Sequence, residues 1–119
     1  MVAQIIDGKV VSADVKSSVK IAVEELISNR VKPCLATVLV GDDPASAIYI
    51  ASKQKDANEV GILTRDHRVA ATFDQNEIVE LVQLLNKDPA VHGILVQLPL
   101  PTHISEFTIV NSISPLKDV

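Results

Sequence analysis

Aromatic side chains are nearly missing from this sequence: Phe73, Phe107 and Tyr49 are the whole set, and there is no tryptophan. Stacking platforms for nucleobases are thereby all but excluded, and a single tyrosine in a special place would stand out. Cys34 is the only cysteine, so no intrachain disulfide can form and a reducing compartment is the natural reading. In its apolar run it reads as a small buried hydrophobe. No basic block occurs either. Lys and Arg number 11 against 15 Asp and Glu, for a formal charge of -4, which argues against a nucleic-acid surface. No apolar run approaches the roughly 20 residues of a membrane span, and Met1 to Asp7 lacks the pattern of a signal peptide. A cytoplasmic protein is expected. The glycines, Gly8, Gly41, Gly61 and Gly93, are too dispersed for a phosphate-binding loop. His67, His92 and His103 lack a helical pair or a ligand cluster around them, so no metal is expected.

What is there fits one ordinary globular domain, residues 1–119, with 47% hydrophobic and 22% charged residues. From Ser12 to Asn29, Val15, Val19, Ala22, Val23, Leu26 and Ile27 recur at spacings of three and four, which predicts an amphipathic helix. Cys34 to Val40 is a β-branched apolar run closed by Gly41, the pattern of a strand buried on both faces. Asp43-Pro44 then caps a helix expected to reach about Val60, with Gly61 as its stop. Ile62 to Val69 reads as a weaker strand. Asp74 caps a third helix with the stripe Ile78, Val79, Leu81, Val82 and Leu85. Gly93 to Leu98 is a second strong strand, broken by Pro99-Leu100-Pro101, and a short helix is expected over Ser105 to Ser112. This alternation predicts an α/β domain of three layers, a mainly parallel sheet with helices on both faces. In such sheets ligands bind beyond the carboxyl ends of the strands, which sends Gly41 to Lys53 and Gln97 to Pro101 to one edge.

On the helix opened by Asp43-Pro44, Ser46, Tyr49 and Lys53 are spaced three and then four residues apart and share a face. A lysine partly withdrawn from water exchanges protons more readily near neutrality, and small and apolar neighbours on that face suggest such withdrawal for Lys53. Gln97 places an amide where the strand pattern calls for an apolar side chain. A buried amide needs a partner, and Lys53 is one, so the two are expected within direct or one-water hydrogen-bonding reach. Taken singly, these residues have blander readings: a solvated lysine, a tyrosine at the core's edge, and Asp43 and Ser46 as capping groups.

In order along the chain, Ile6-Asp7-Gly8-Lys9, Val40-Gly41-Asp42-Asp43-Pro44-Ala45-Ser46 with Tyr49, Lys53 and Glu59-Val60-Gly61-Ile62, Gly93 to Pro101, and Pro115-Leu116-Lys117-Asp118-Val119 closely resemble the signatures of the bifunctional methylenetetrahydrofolate dehydrogenase/methenyltetrahydrofolate cyclohydrolase family. The resemblance implies that Lys53 is the central proton-transfer group and that Gln97 hydrogen-bonds it. It implies that Tyr49 lies against the folate ring system and that Ser46 stands near the reacting carbon. Val96, Gln97, Leu98 and Pro99 are implied as substrate contacts. Asp118 matches the first acid of a Lys-Asp-Val-Asp-Gly run whose second acid binds the pterin.

The same resemblance implies an enzyme of one-carbon metabolism and purine biosynthesis that oxidises 5,10-methylenetetrahydrofolate with NADP and hydrolyses 5,10-methenyltetrahydrofolate to 10-formyltetrahydrofolate. The NADP site is expected in a Rossmann domain that this chain does not contain, normally part of the same chain in a homodimer. This sequence is expected to be the amino-terminal catalytic half. Three rivals remain, of which a metal hydrolase is weakened by the wide separation of His67, His92 and His103. Tyr49 and Lys53 satisfy the Tyr-x-x-x-Lys pattern of short-chain dehydrogenases, but the glycine-rich loop of that family is missing. A non-catalytic folate-binding or assembly module remains as the alternative.

Overall fold

A computed structural model describes residues 2–119. In chain order the elements are α1 (Gly8–Ser28), β1 (Cys34–Val40), α2 (Pro44–Glu59), β2 (Leu63–Val69), α3 (Gln75–Lys87), β3 (Gly93–Val96) and α4 (Glu106–Ser112). The strands form a parallel sheet in the order β2-β1-β3, so β1 is central. The expected α/β class is observed, and the middle elements begin and end within about two residues of their expected bounds, the usual uncertainty of a helix or strand end.

The central position of β1 follows from its composition. A strand with a neighbour on each edge and a helix layer on each face must be apolar on both sides, and Ala36, Thr37, Val38, Leu39 and Val40 are all buried. Alternation divides them. Ala36, Val38 and Val40 join Ile94 and Val96 of β3, Ile78, Val82 and Leu85 of α3, and Ile109 of α4 in one core cluster. Each Val, Leu or Ile among them taken from water contributes roughly 1.5–3 kcal/mol. Thr37 and Leu39 therefore point to the opposite face, which α2 covers. Thr37 is the polar exception in the run, and its hydroxyl meets Asp66 Oδ1 of β2 at 3.3 Å.

Two glycines set the joints on the α2 side. Gly41 leaves β1 at φ 85° and turns the chain toward α2, while Gly61 leaves α2 at φ 90°; both values lie where glycine is favoured over other residues. At Gly61 there is little room besides: a Cβ would sit 3.1 Å from Val23 Cγ1 of α1. Asp43, Asp74 and Ser105 cap their helices by accepting from Ser46 N, Glu77 N and Thr108 N, as the sequence indicates for such residues.

Helix α1 departs from expectation twice. It begins at Gly8, capped by Asp7, whose carboxylate accepts from Lys9 N. Glycine at a first helical position gives no propensity signal, so the earlier start was hidden. Its apolar stripe is also not buried. Val23 is inside, but Val15, Leu26 and Ile27 are 56%, 42% and 43% exposed. The helix is held at its far side by Lys16, which bonds Asp56 Oδ1 at 2.6 Å and Glu59 Oε2 at 3.2 Å on α2. A radius of gyration of 16.5 Å, against about 13.5 Å for a compact chain of this length, agrees with a helix lying off the main body. The periodicity correctly marked a helix that has an apolar face; it carried no information about what covers that face.

Candidate active site

Helix geometry explains how α2 serves both neighbours of β1. At about 100° per residue, Ser46, Ile50 and Ala57 fall within a narrow arc, and these are its buried residues. Lys53 and Tyr49 lie on one shoulder of that arc and Gln54 on the other. Because α2 lies over β1, the shoulders overhang different strands. Gln54 is turned toward β2, where it helps hold the Asp66 carboxyl below its usual range. Lys53 reaches β3, where its Nζ donates to Gln97 Oε1 at 3.0 Å.

Gln97 is presented at the carboxyl end of β3. Its main-chain N–H donates to Val38 O at 2.9 Å, which continues the β1–β3 ladder one residue past the strand, and alternation turns its side chain to the α2 face, away from Val96. The amide is oriented from both ends: Nε2 donates to Leu98 O at 3.0 Å, so Oε1 is left to face Lys53. This fixes which end of the amide is the acceptor. The expected reach between Lys53 and Gln97 is met directly.

The withdrawal of Lys53 from water is not met. Lys53 is exposed, and so is Tyr49, at 59%. A shoulder position on a helix leaves the outer half of a long side chain in solvent, whatever small residues flank it in sequence. Ser46 is the opposite case. It is 1% exposed, its N–H is taken by Asp43 Oδ1 at 3.0 Å, and its hydroxyl finds no hydrogen-bond partner in the chain.

The remaining residues divide in the same way. Leu98 and Pro99, joined by a cis peptide, are exposed at the edge. Val96 is 6% exposed and belongs to the α3–α4 core, so only its main chain is available to a ligand. Asp118 is not brought to the pair. It bridges Ile94 in parallel register, about three residues or 10 Å short of Gln97 along β3, and shares the face of Ile94 rather than that of Gln97.

A depression of about 320 Å³ separates the Gly41–Asp43 turn from Pro99–Pro101 at this edge. The second wall is pinned by groups the sequence did not single out. Glu106 Oε1 accepts from Leu100 N at 3.3 Å, Gln75 Oε1 accepts from Ser105 N at 2.8 Å, and a ring nitrogen of His103 lies 2.9 Å from Phe73 O. A proline-broken loop has main-chain groups to satisfy, which was the one signal that such partners would be needed. Charge at the edge bears on a dinucleotide. The start of α2 carries Asp42 and Asp43, the latter filling the cap, so the β1–α2 turn does not fit a pyrophosphate as a glycine-rich turn does. Among the described residues no three His, Cys, Asp or Glu side chains converge to hold a metal, and no helix is long and apolar enough to cross a membrane.

The profile of the tetrahydrofolate dehydrogenase/cyclohydrolase catalytic domain matches residues 6–119. The chain belongs to this family. Among the relatives of the tetrahydrofolate dehydrogenase/cyclohydrolase family, the bifunctional protein FolD of Nitrosopumilus maritimus is 57% identical over 114 residues, 96% of this chain and 40% of that protein. FolD of Moorella thermoacetica is 49% identical over 119 residues, 100% of this chain and 42% of its own length. The chain thus spans about 40% of the length of the curated relatives it matches. Its structure is similar to the FolD methylenetetrahydrofolate dehydrogenase/cyclohydrolase of Campylobacter jejuni, with a TM-score of 0.93 and 46% identity over 94% of this chain and 40% of that one. It is also similar to the Trypanosoma brucei enzyme complexed with NADP cofactor and inhibitor, with a TM-score of 0.85 and 31% identity over 95% of this chain and 39% of that one.

Proposed function

We propose that this domain is the folate-binding catalytic part of an enzyme that oxidises 5,10-methylenetetrahydrofolate with NADP and hydrolyses 5,10-methenyltetrahydrofolate to 10-formyltetrahydrofolate. The observation that carries the reading is the 3.0 Å hydrogen bond from Lys53 to an amide whose other end is tied to Leu98 O. In the hydrolytic step, water adds to the methenyl carbon and the ring opens. A proton must leave that water and another must reach the departing nitrogen. Lys53 is the group at the carboxyl edge able to hold and return it, and Gln97 keeps its Nζ in one place, as proton transfer requires. Tyr49, exposed one turn nearer the start of α2, offers its ring face to the folate. Ser46, buried beneath it, is the second hydroxyl on that column. Leu98, Pro99 and the main chain of Val96 complete the wall, and Asp118 enters only through its place in the Lys-Asp-Val run.

The β1–α2 turn does not suit the pyrophosphate of NADP, and the reading assigns the NADP site to a separate Rossmann domain of the complete enzyme; no metal is invoked. The complete enzyme is taken to be a cytoplasmic homodimer whose formyl product serves purine biosynthesis. A non-catalytic folate-binding module is not favoured, because binding alone gives no reason to hold an exposed lysine by an oriented amide. Lys53→Met in the complete enzyme tests the choice. Cyclohydrolase turnover is expected to vanish while folate binding survives in part, since proton transfer belongs to the reaction and ring contacts belong also to the ground state. Unchanged turnover in the folded variant refutes the role of Lys53.

A further inference from the structure

The opposite edge of the sheet has a site of its own. At the amino ends of β1 and β2, about 16 Å along β1 from the level of Gln97, an open basin of about 580 Å³ lies between the end of α1 and residues Pro89 to His92. That size suits a small molecule. The polar residues of the lining are Arg30, Lys32, Thr64, Arg65 and His92. No carboxylate lines the basin, although the chain as a whole carries more acids than bases. Leu63, Val31 and Pro89 supply an apolar wall.

Three details indicate donor capacity at this basin that the chain itself does not use up. First, His92 Nδ1 accepts the main-chain N–H of Cys34 at 3.1 Å. A backbone donor assigns the tautomer, so the ring's proton is on Nε2, on the side away from that bond. Second, among the described residues neither Arg30 nor Lys32 enters an ion pair, and Arg65 gives only Nη1 to Asp88, at 2.7 Å. Third, Arg30 is the one described non-glycine residue at positive φ, 63°. It occupies the glycine position of a helix-ending motif in which Arg30 N bonds Ile27 O at 2.9 Å and Val31 N bonds Leu26 O at 2.8 Å. A residue strained where glycine would be relaxed invites a functional reading. Cations at the end of α1 also answer its carbonyl dipole, but that need is met by any basic residue in the last turn and does not call for one in a left-handed conformation.

We propose that this basin binds a small organic anion, a carboxylate or phosphate on an apolar body, with the charge held among Arg30, Lys32 and His92 Nε2–H and the body lying against Leu63 and Pro89. The proposal is independent of the folate reading. Benzoate and phenyl phosphate are the probes, benzyl alcohol is the neutral control, and amide chemical shifts are the readout. Saturable shifts centred on Cys34, His92 and Arg30 are expected with at least one anion and not with the alcohol; which anion gives them identifies the preferred head group. Arg30→Gly should raise the unfolding temperature without probe and weaken binding at least fivefold. Lys32→Gln should weaken it without the gain in stability. The proposal is overturned if neither anion saturates these shifts by about tens of millimolar, the range that marks the weakest useful binding. Shifts equally large with benzyl alcohol, or unchanged affinity in both variants, overturn it as well.

Discussion

Replacing Ser46 by alanine should make the protein more stable and the enzyme slower. Ser46 is the third residue of α2, 1% exposed, and its hydroxyl has no partner in the chain. Its main-chain bond to Asp43 Oδ1, 3.0 Å long, survives the change. A buried hydroxyl without a hydrogen bond costs about 1–3 kcal/mol, and alanine adds up to about 0.5 kcal/mol of helix propensity over serine. Against this stands the small void left by one oxygen, so a net gain of about 1–2 kcal/mol is expected. At this chain length each kcal/mol moves Tm by about 4 °C, giving a rise of about 4–8 °C. Thermal unfolding followed by circular dichroism, with urea denaturation for the free energy, measures it. In the complete enzyme the same substitution should lower cyclohydrolase kcat about tenfold, the worth of one hydrogen bond near 1.4 kcal/mol. A loss of stability of more than about 1 kcal/mol would show that the hydroxyl is bonded in solution, and unchanged kcat would remove Ser46 from the site.

Other expectations follow from single contacts. Burial pushes the Asp66 carboxyl up, but the hydrogen bond and charge of Arg68, with hydrogen bonds from Gln54 and Thr37, leave it net below the usual carboxylate range. A depressed pKa contributes stability that is present above the unfolded value, 3.8, and is lost as pH falls through the folded value. Asp66→Asn should therefore flatten the acid limb of the stability curve below about pH 4, which urea melts across that range can read. Gly61→Ala, which must adopt φ 90° and push Val23 Cγ1 from 3.1 Å, should cost about 1–3 kcal/mol, seen as a lower urea midpoint. The exposed stripe of α1 should cause self-association. Sedimentation of the Val15→Lys/Leu26→Lys variant should show monomer where the unaltered chain shows larger species, and a monomeric unaltered chain at high concentration contradicts this.

How far the sequence could be read depended on whether the deciding physics was local. Caps, periodicity and the double-sided apolar run of β1 are properties of neighbouring residues, and α2, α3 and α4 lie where they indicate. Gln97 was legible for a related reason, since an amide in an apolar strand must find a partner and the nearest strand-to-helix unit supplied Lys53. Exposure was less legible. Whether Lys53 is withdrawn from water depends on how far α2 overhangs β3, and whether the stripe of α1 is covered depends on which other elements reach it. Gln75 and His103 escaped notice because each serves a backbone group 30 residues away in sequence, and Glu106 because it reaches back across a proline-broken loop. Arg30 escaped for a different reason: nothing in a helix-ending sequence announces that arginine will take a conformation glycine prefers.

The strand order carries a consequence for how the protein becomes active. Lys53 and Gln97 are 44 residues apart in sequence and belong to different strand-helix units, Lys53 on the helix that lies over β1 and Gln97 at the end of β3, which pairs with β1. Closing a loop of that length is entropically unfavourable and is repaid only when β3 has docked along β1 and the α3–α4 core has closed beneath it. Until then the lysine has no amide to hold it. A nascent or partly unfolded chain can form α2 with Tyr49 and Lys53 in their column, yet it cannot assemble the proton-handling pair, so the chemistry is withheld until the last strand is seated.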